Sequence, residues 1–573
     1  MTDRLWVTDT LPSKRFPVYT RANSGEVYAG VLKPLGWSTS IGWPSERGWR
    51  NALARYGAFD LDEFDESQPE LVASFGGYIY LNLSAQRILG VRTPGVEPGD
   101  VDRAFFGDIA GAPGYTAQAG DDDPRYTERV TETFSWIMST PEVPDVDTLR
   151  SEVYELRCKR PDLTVMEVDE LVEHIHTLLG GYGPIISLHF FIINCATVPT
   201  GIIQAGTARH GRPDLAMRLM SGFSGVDSAA PAKSMQEIAS TIDRDPLLRA
   251  IFDTADDNRW ELICKSAEPT VDQFREAVEA FLFHYGWGGP DPYDVAVDSW
   301  ETDVDLALSA INNMRQSANR KREVGLDHRR DALEEVRVLL REEPAELAQI
   351  EAAVAASAIW VPARERSKST MTRLLNEVRI AVFELGRKTV ARGVISDLTE
   401  MTMLAVDELT LLDGDPSYAR QLIDERMARF AELSAKVPPF FVEGEVPPLD
   451  SWSDRAGLGP STTAPVSRGD TLHGLAACPG VATGTARVVT SSLNADIDDG
   501  EILIAPYTDA GWAPLFLAAA AVVVDVGAPL SHAAIISREL GVPCVVSCTE
   551  ATRRIPDGAT VTVDGTNGLV HVL

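Results

Sequence analysis

The spacing of apolar and polar positions divides the chain into three stretches. From about residue 126 to 435, apolar residues recur mainly at helical intervals, with breaks at Gly180–Pro184 and Gly286–Pro292. Within this stretch Thr302–Ile359 is charged and helix-forming, broken at Pro344, and Met371–Leu385 and Tyr418–Lys436 are further amphipathic helices. Ahead of it, residues 1–110 are rich in Gly, Trp and Tyr. In Phe75–Leu83, Tyr78, Tyr80 and Asn82 alternate with Ile79, Leu81 and Leu83, the period of a strand. Residues 111–125 form a Gly, Asp and Pro loop.

The third stretch follows a change of texture. Val437–Asp470 contains Pro438, Pro439, Pro447, Pro448, Pro460 and Pro465 among Ser, Thr and Gly, the composition of a semi-rigid linker. Beyond it, Thr471–Leu573 alternates strands and helices. Glu501–Pro506, Ala521–Val526, Cys544–Ser547, Ala559–Val563 and Leu569–Val572 are rich in β-branched residues, and Asp564–Gly568 makes a tight turn between the last two. The expected fold is α+β and multidomain: a mostly helical domain with a β-containing N-terminal part over 1–436, a Pro-rich linker over 437–470, and an α/β domain over 471–573. No internal repeat is evident.

Length and charge narrow the functions. At 573 residues the chain has room for about four units of roughly 150 residues. Its 84 acidic residues against 52 Lys and Arg give a net charge of -32, which argues against non-specific nucleic-acid or anionic-membrane binding. The N-terminus lacks the apolar core of an export signal, and the run Ala513–Val524 is too short to span a bilayer. Six scattered cysteines fit a reducing compartment, so a cytoplasmic location is expected. Cys544 and Cys548 have no second pair and no His at zinc spacing, and read as core residues; no metal site is expected.

The candidate chemistry lies in Thr508–Leu517 and Val524–Val546. A strand ends near Val526, Gly527–Leu530 turn, Ser531 is placed to cap a helix from His532 to Leu540, Gly541 closes it and Pro543 stops it. His532 therefore sits on the first turn of a helix, where a neutral imidazole is a good nucleophile and free N–H groups with the helix dipole favour an anion. A phosphohistidine is permitted. On residue chemistry alone, a histidine making local hydrogen bonds at a helix start is the simpler reading. The other histidines form no His-Glu-x-x-His, and no serine elbow or Rossmann glycine pattern is present.

Three motifs in order carry a resemblance: Cys478-Pro-Gly-Val-Ala-Thr-Gly484; Gly527-Ala-Pro-Leu-Ser-His-Ala-Ala534; and Arg538 followed by Gly541-Val-Pro-Cys-Val-Val546. Residues 471–573 resemble the swivelling phosphohistidine domain of the phosphoenolpyruvate (PEP)-utilising enzymes, a family that includes rifampin phosphotransferase. Ala528 departs from the family's second glycine. Patches over residues 20–440, notably Glu26–Ser38, Phe75–Leu83, Phe281–Ala296 and Arg364–Lys368, resemble the substrate domain of rifampin phosphotransferase and the large subunit of two-component aryl-phosphate synthases. The resemblance implies His532 as phosphoryl carrier, with Ser531 and Gly527 supporting the phosphate. It implies that the Arg-Glu-x-x-Lys element, Arg364, Glu365 and Lys368, handles the phosphoryl group; Arg364 and Lys368 share a helix face, which otherwise reads as a solvated basic turn. Where relatives often carry Gly-His-Arg-Gly-Pro, this chain has Gly286-Trp-Gly-Gly-Pro290. Trp287, with Trp37, is then a candidate for an aromatic acceptor pocket, or else fills core.

The resemblance further implies a mechanism. The family's ATP-grasp unit finds no room before residue 26, so ATP and Mg2+ are expected to act through a separate ATP-grasp partner subunit, with none bound tightly here. The phosphoryl group would pass from His532 to the hydroxyl of a phenol or cresol, giving an aryl phosphate, AMP and phosphate, as in aromatic degradation. The alternatives are a rifamycin-type acceptor and a non-catalytic phosphocarrier or regulatory protein.

Overall fold

The computed structural model describes residues 4–22, 24–28, 30–106, 111–223, 230–254, 258–316, 325–455, 466–490, 497–508, 512–527, 531–548 and 550–573. The strands discussed are β1 (Val18–Thr20), β2 (Val72–Phe75), β3 (Tyr78–Asn82), β4 (Phe441–Glu443), β5 (Thr471–His473), β6 (Leu475–Cys478), β7 (Val481–Val488), β8 (Ile502–Ala505), β9 (Ala521–Val524), β10 (Cys544–Val546), β11 (Thr560–Asp564) and β12 (Leu569–Val572). The helices discussed are α1 (Val168–Gly180), α2 (Tyr182–Arg209), α3 (Pro213–Leu219), α4 (Pro269–Tyr285), α5 (Val304–Gln316), α6 (Gly325–Leu339), α7 (Pro344–Ala391), α8 (Pro416–Ser434), α9 (Ala513–Ala518), α10 (His532–Leu540) and α11 (Ala551–Arg554). The α+β, multidomain character expected from the pattern holds.

Contacts group the chain into two units: Met1–Val198 with Tyr293–Ala296 and Thr370–Gly459, and Pro199–Pro292 with Val297–Ser369 and Pro460–Leu573. In the first unit an antiparallel sheet runs β2-β3-β1-β4. Gly76 and Gly77, at φ 59° and 76°, turn β2 into β3, the positive-φ pair that a two-residue hairpin needs. The strand period at Tyr78–Leu83 is real, but neither face meets water. Tyr78 and Tyr80 enter the main core, while Ile79 packs with Leu32, Ile41 and Val72. The buried phenols end on backbone, Tyr78 donating to the Lys436 carbonyl at 2.9 Å and Tyr80 to that of Pro439 at 2.7 Å. Helix α1 adds Val168, Leu171, Val172, Ile175 and Leu178 to this core at helical spacing.

The second unit joins a helical cluster, with Met235, Val278, Leu308 and Ile311 at its centre, to an eight-stranded sheet in the order β5-β12-β11-β7-β8-β9-β10-β6. Strands β7, β8, β9 and β10 are parallel and the remaining pairings antiparallel. Leu503, Ala505, Val522 and Val524 face one core and Ile502, Ile504, Ala521 and Val523 the other. Burial on both faces is why these strands read as unbroken apolar runs.

Two boundaries differ from the sequence reading. Segments 199–292 and 297–369 cluster with residues 460–573 rather than with the N-terminal part, because α9 packs on α5, α3 on β6 and α6 on α10. Residues 437–455, expected within a linker, fold onto the first unit. Strand β4 pairs with β1 (Tyr19 opposite Val442), Lys436–Val437 pairs with Ser453–Asp454, and Trp452 is buried with its indole N–H on the Pro447 carbonyl at 3.1 Å. Prolines leave such a segment irregular without keeping its aromatic residues out of a core. The part of the linker over 456–465 lies outside the described residues.

Among the described residues one helical stretch, Val168–Arg209, is long and apolar enough to cross a membrane; 67% of its most apolar window is buried within the protein, as in a core helix.

Candidate active site

Strand β9 delivers the chain into the loop before α10. Asp525, just past the strand, accepts from the Thr552 N–H at 2.8 Å and from the Thr552 hydroxyl. Burial pushes its carboxyl up to about 6 against these donors. The Gly527 carbonyl accepts from the Ser547 hydroxyl. A side chain at Gly527 would stand 3.1 Å from both Ser531 Oγ and Val546 Cβ, so glycine lets the loop close on the helix start. Ala528, with Pro529 and Leu530, lies outside the described residues. Ser531 is the N-cap expected, its Oγ accepting from Ala534 N–H at 3.4 Å, and Gly541 ends the helix at φ 66°.

His532 opens α10 and is only 9% exposed. Its Nδ1 lies 3.2 Å from Thr508 Oγ1. Its Nε2 is buried and has no hydrogen-bond partner among the described residues. The Phe516 ring stands edge-on, 6.1 Å away. Burial, then the charges of Lys368 and Arg364, hold the imidazole well below its usual titration range. The ring is therefore neutral at physiological pH. In the tautomer whose Nδ1–H donates to Thr508, Nε2 presents a lone pair.

Helix α7 brings the Arg-Glu-x-x-Lys element to this histidine. The Arg364 guanidinium pairs with Glu365 at 2.7 Å, and Glu365 is buried behind it. Arg364 and Lys368, four residues apart on one helix, both bear on His532. Two cations beside a neutral, buried nitrogen form a receptacle for a dianionic phosphoryl group. The Glu365 carboxylate is taken up by Arg364 and lies near Glu539 of α10.

Other expectations fall elsewhere. Trp287 is buried, its indole N–H donating to the His284 carbonyl at 3.0 Å, which is the core-filling alternative. Trp37 belongs to the first unit, where it packs with Leu32, Ile41, Val72 and Ile79 against Gly42. Cys544 and Cys548 are buried thiols as expected, each pushed up to about 12. Among the described residues one His and Glu group has metal-like spacing, His210 with Glu343 and Glu346. There Arg209 and His210 already pair with Glu346, at 2.6 and 3.1 Å.

Thr508 opens the first candidate stretch and Arg538 belongs to the third motif, but neither is given a role at the site by sequence, and Glu539 is not considered. Thr508 is 24 residues before His532, and no local spacing links them. Buried Arg538 donates to the Ala477 carbonyl at 2.8 Å, tying α10 to β6.

Comparison with known proteins agrees with this geometry. Residues 497–568 match the mobile domain of PEP-utilising enzymes, and residues 190–365 match the rifampicin phosphotransferase fourth domain. An uncharacterised protein of Mycobacterium tuberculosis strain H37Rv is 27% identical over 99% of this chain and 62% of its own length. The prodigiosin synthesizing transferase PigC of Serratia marcescens is 24% identical over 99% of this chain and 64% of its own. A rifampicin phosphotransferase of Streptomyces sviceus is 28% identical over 53% of this chain and 35% of its own. The chain thus spans less than two thirds of the length of these relatives. Over residues 497–568, which hold His532 at the start of its helix, the chain is similar to the mobile domain of the PEP-utilising enzymes.

Proposed function

We propose that this chain is the phosphohistidine-bearing part of a phosphotransferase that phosphorylates the hydroxyl of a small aromatic compound. The observation that carries the reading is His532 itself: Nδ1 engaged by Thr508, Nε2 without a hydrogen-bond partner among the described residues, two cations of α7 beside it. A nucleotide-binding ATP-grasp subunit would supply ATP and Mg2+. Nε2 would bond to the β-phosphorus as its bond to the oxygen of AMP breaks, and water would then cleave the γ-phosphate from the pyrophosphoryl-histidine, leaving phosphohistidine and free phosphate. In the second step the acceptor oxygen forms the new P–O bond, the N–P bond breaks, and the hydroxyl proton leaves. Arg364 and Lys368 stabilise the charge on the transferring oxygens. The mobile domain would move between the two partners as a rigid body. Six cysteines, none of them in a disulfide, support a reducing, cytoplasmic setting.

The relatives named rifampicin phosphotransferase favour a second acceptor class, a larger hydroxylated natural product. The test supplies the chain with its nucleotide-binding partner and ATP labelled at the β-phosphorus, then chases with phenols or with rifamycins. Label on His532 that moves to a phenol supports the first acceptor, and movement only to a rifamycin the second. Label that never leaves makes the chain a carrier, and no label at all overturns the proposal.

A further inference from the structure

The two cysteines nearest in sequence, Cys544 and Cys548, lie in different cores on opposite faces of the sheet. The fold gives Cys544 another neighbour. Strands β6 and β10 run antiparallel with Cys478 directly opposite Cys544. Residues so opposed point to one face of a sheet, with Cα atoms about 4.5–5.5 Å apart. A methyl group on Gly565 would stand 2.1 Å from the Cys478 carbonyl oxygen and 2.7 Å from the Cys544 nitrogen, so the two backbones close on one point. Both thiols also reach the same residue of α10. The Cys478 thiol donates to the Ser537 carbonyl at 3.4 Å, and the Cys544 thiol meets the Ser537 side chain. A disulfide spans Cα atoms about 4.4–6.8 Å apart, so these two sulfurs can be joined without rebuilding either strand.

We propose that Cys478 and Cys544 form a dithiol that peroxide closes to a disulfide, and that closing it slows the loading of His532. The second half rests on the phosphotransferase reading. Peroxide is small and uncharged, as an oxidant of a buried pair must be. The Arg538 charge bears on both thiols and favours a thiolate. Burial pushes the Cys544 thiol up to about 12, so Cys478 is the one that attacks. Its sulfur bonds to one peroxide oxygen, the O–O bond breaks, and the departing hydroxide takes a proton to become water, leaving a sulfenic acid. The Cys544 sulfur then bonds to the Cys478 sulfur. The S–O bond breaks, and that hydroxide takes the Cys544 proton as a second water. The two thiols lose two electrons and the peroxide gains them. The consequence reaches α10 by two bonds. Joining the sulfurs takes the S–H away from the Ser537 carbonyl. It also pulls on the neighbouring Ala477 carbonyl, which accepts from Arg538 at 2.8 Å. His532 opens the same helix. A pair that stays reduced at rest and closes under peroxide suits a reducing compartment.

The test uses the full chain with the exposed Cys158 and Cys264 changed to Ser, so that they do not join one chain to another. It is held in hydrogen peroxide for hours, because the pair is buried, then denatured in an alkylating agent and mapped by mass spectrometry without reductant. The expected product is one linked pair, Cys478 with Cys544, which dithiothreitol opens. A Cys544–Cys548 link, thiols that are all still alkylated, or sulfinic acids in place of a link overturn the proposal. Reduced and oxidised chains are then loaded by ATP and the nucleotide-binding partner. Labelling of His532 should fall about tenfold or more on oxidation and return with dithiothreitol, the scale for a lost support of a histidine. Cys478→Ala and Cys544→Ala cannot form the bond and should keep their labelling through peroxide. A fall in them as large as in the parent, or a linked pair that labels at the reduced rate, overturns the control of loading. If either variant fails to fold, the map of the parent chain still decides the pairing. If no form ever labels, the phosphotransferase reading fails, and the same map decides the dithiol.

Discussion

The Thr508 hydroxyl lies 3.2 Å from Nδ1 of His532, while Nε2 of the same ring has no hydrogen-bond partner among the described residues. One nitrogen is fixed so that the other is free to react. In this relationship Thr508 is a positioning residue: it holds the ring plane, and when its oxygen accepts the Nδ1 proton the lone pair lies on Nε2. Thr508→Val keeps the volume and removes the oxygen. Labelling of His532 should fall by about ten- to a hundredfold, the range found when a supporting partner of a histidine is lost. Thr508→Ser should recover most of it. A Val variant that labels at the parent rate would show that packing alone holds the ring.

Removing either cation should separate the two half-reactions. Arg364→Ala or Lys368→Ala should slow the chase of label to the acceptor by roughly two orders of magnitude, the scale for a lost donor to transition-state charge. Labelling of His532 should survive if, as proposed, loading takes place against a separate nucleotide-binding partner. Arg364→Ala also strips Glu365 of its 2.7 Å partner. The thermal midpoint of Arg364→Ala should fall with that loss.

Asp525 makes stability depend on pH in a defined direction. Its carboxyl is raised to about 6 from 3.8, so the folded state holds a proton that the unfolded state has lost. Asp525 thus disfavours the fold increasingly as pH rises from about 4 to 6, and the effect is complete above that. Asp525→Asn should gain stability relative to the parent between pH 4 and 7, by an amount on the order of 2–3 kcal/mol. Denaturant titrations at the two pH values measure this difference. An unchanged gap would mean that the Thr552 bonds hold Asp525 ionised in the fold.

Gly527→Ala tests the closure of the loop. Contacts of 3.1 Å to Ser531 Oγ and Val546 Cβ leave little room for a methyl group. The loop must shift, at a cost on the order of 1–3 kcal/mol, and labelling of His532 should fall as the cap loosens. Retention of both stability and labelling would show that the loop has room to spare.

Much of the mobile domain was legible because its signals are local. Ser531, His532 and Gly541 lie within one short helix whose cap, first turn and stop are each set by neighbouring residues. The strands β8 to β12 were found for the same reason, whereas β5, β6 and β7 were not. In β7 exposed and half-buried residues interleave small and polar side chains over Val481–Val488, which leaves little apolar period to detect. Arg364 and Lys368 were placed by their spacing and by resemblance, and the fold brings them to His532. Thr508 and Glu365's neighbour Glu539 depend on how β8, α7 and α10 meet, which no local pattern encodes. The grouping of the helices by contact differs from the linear division for a related reason. Helical periodicity locates helices but does not say which neighbours they choose, and α5 and α6 pack with the C-terminal elements.

The burial of His532, at 9% exposure, bears on how long a charged enzyme would last. A phosphorus–nitrogen bond is spent by water as readily as by an alcohol unless water is kept away. A phosphoryl group seated between His532 and α7 would sit where solvent hardly reaches. The loaded chain would then idle without leaking, consuming ATP only when an acceptor that fits arrives to take the group.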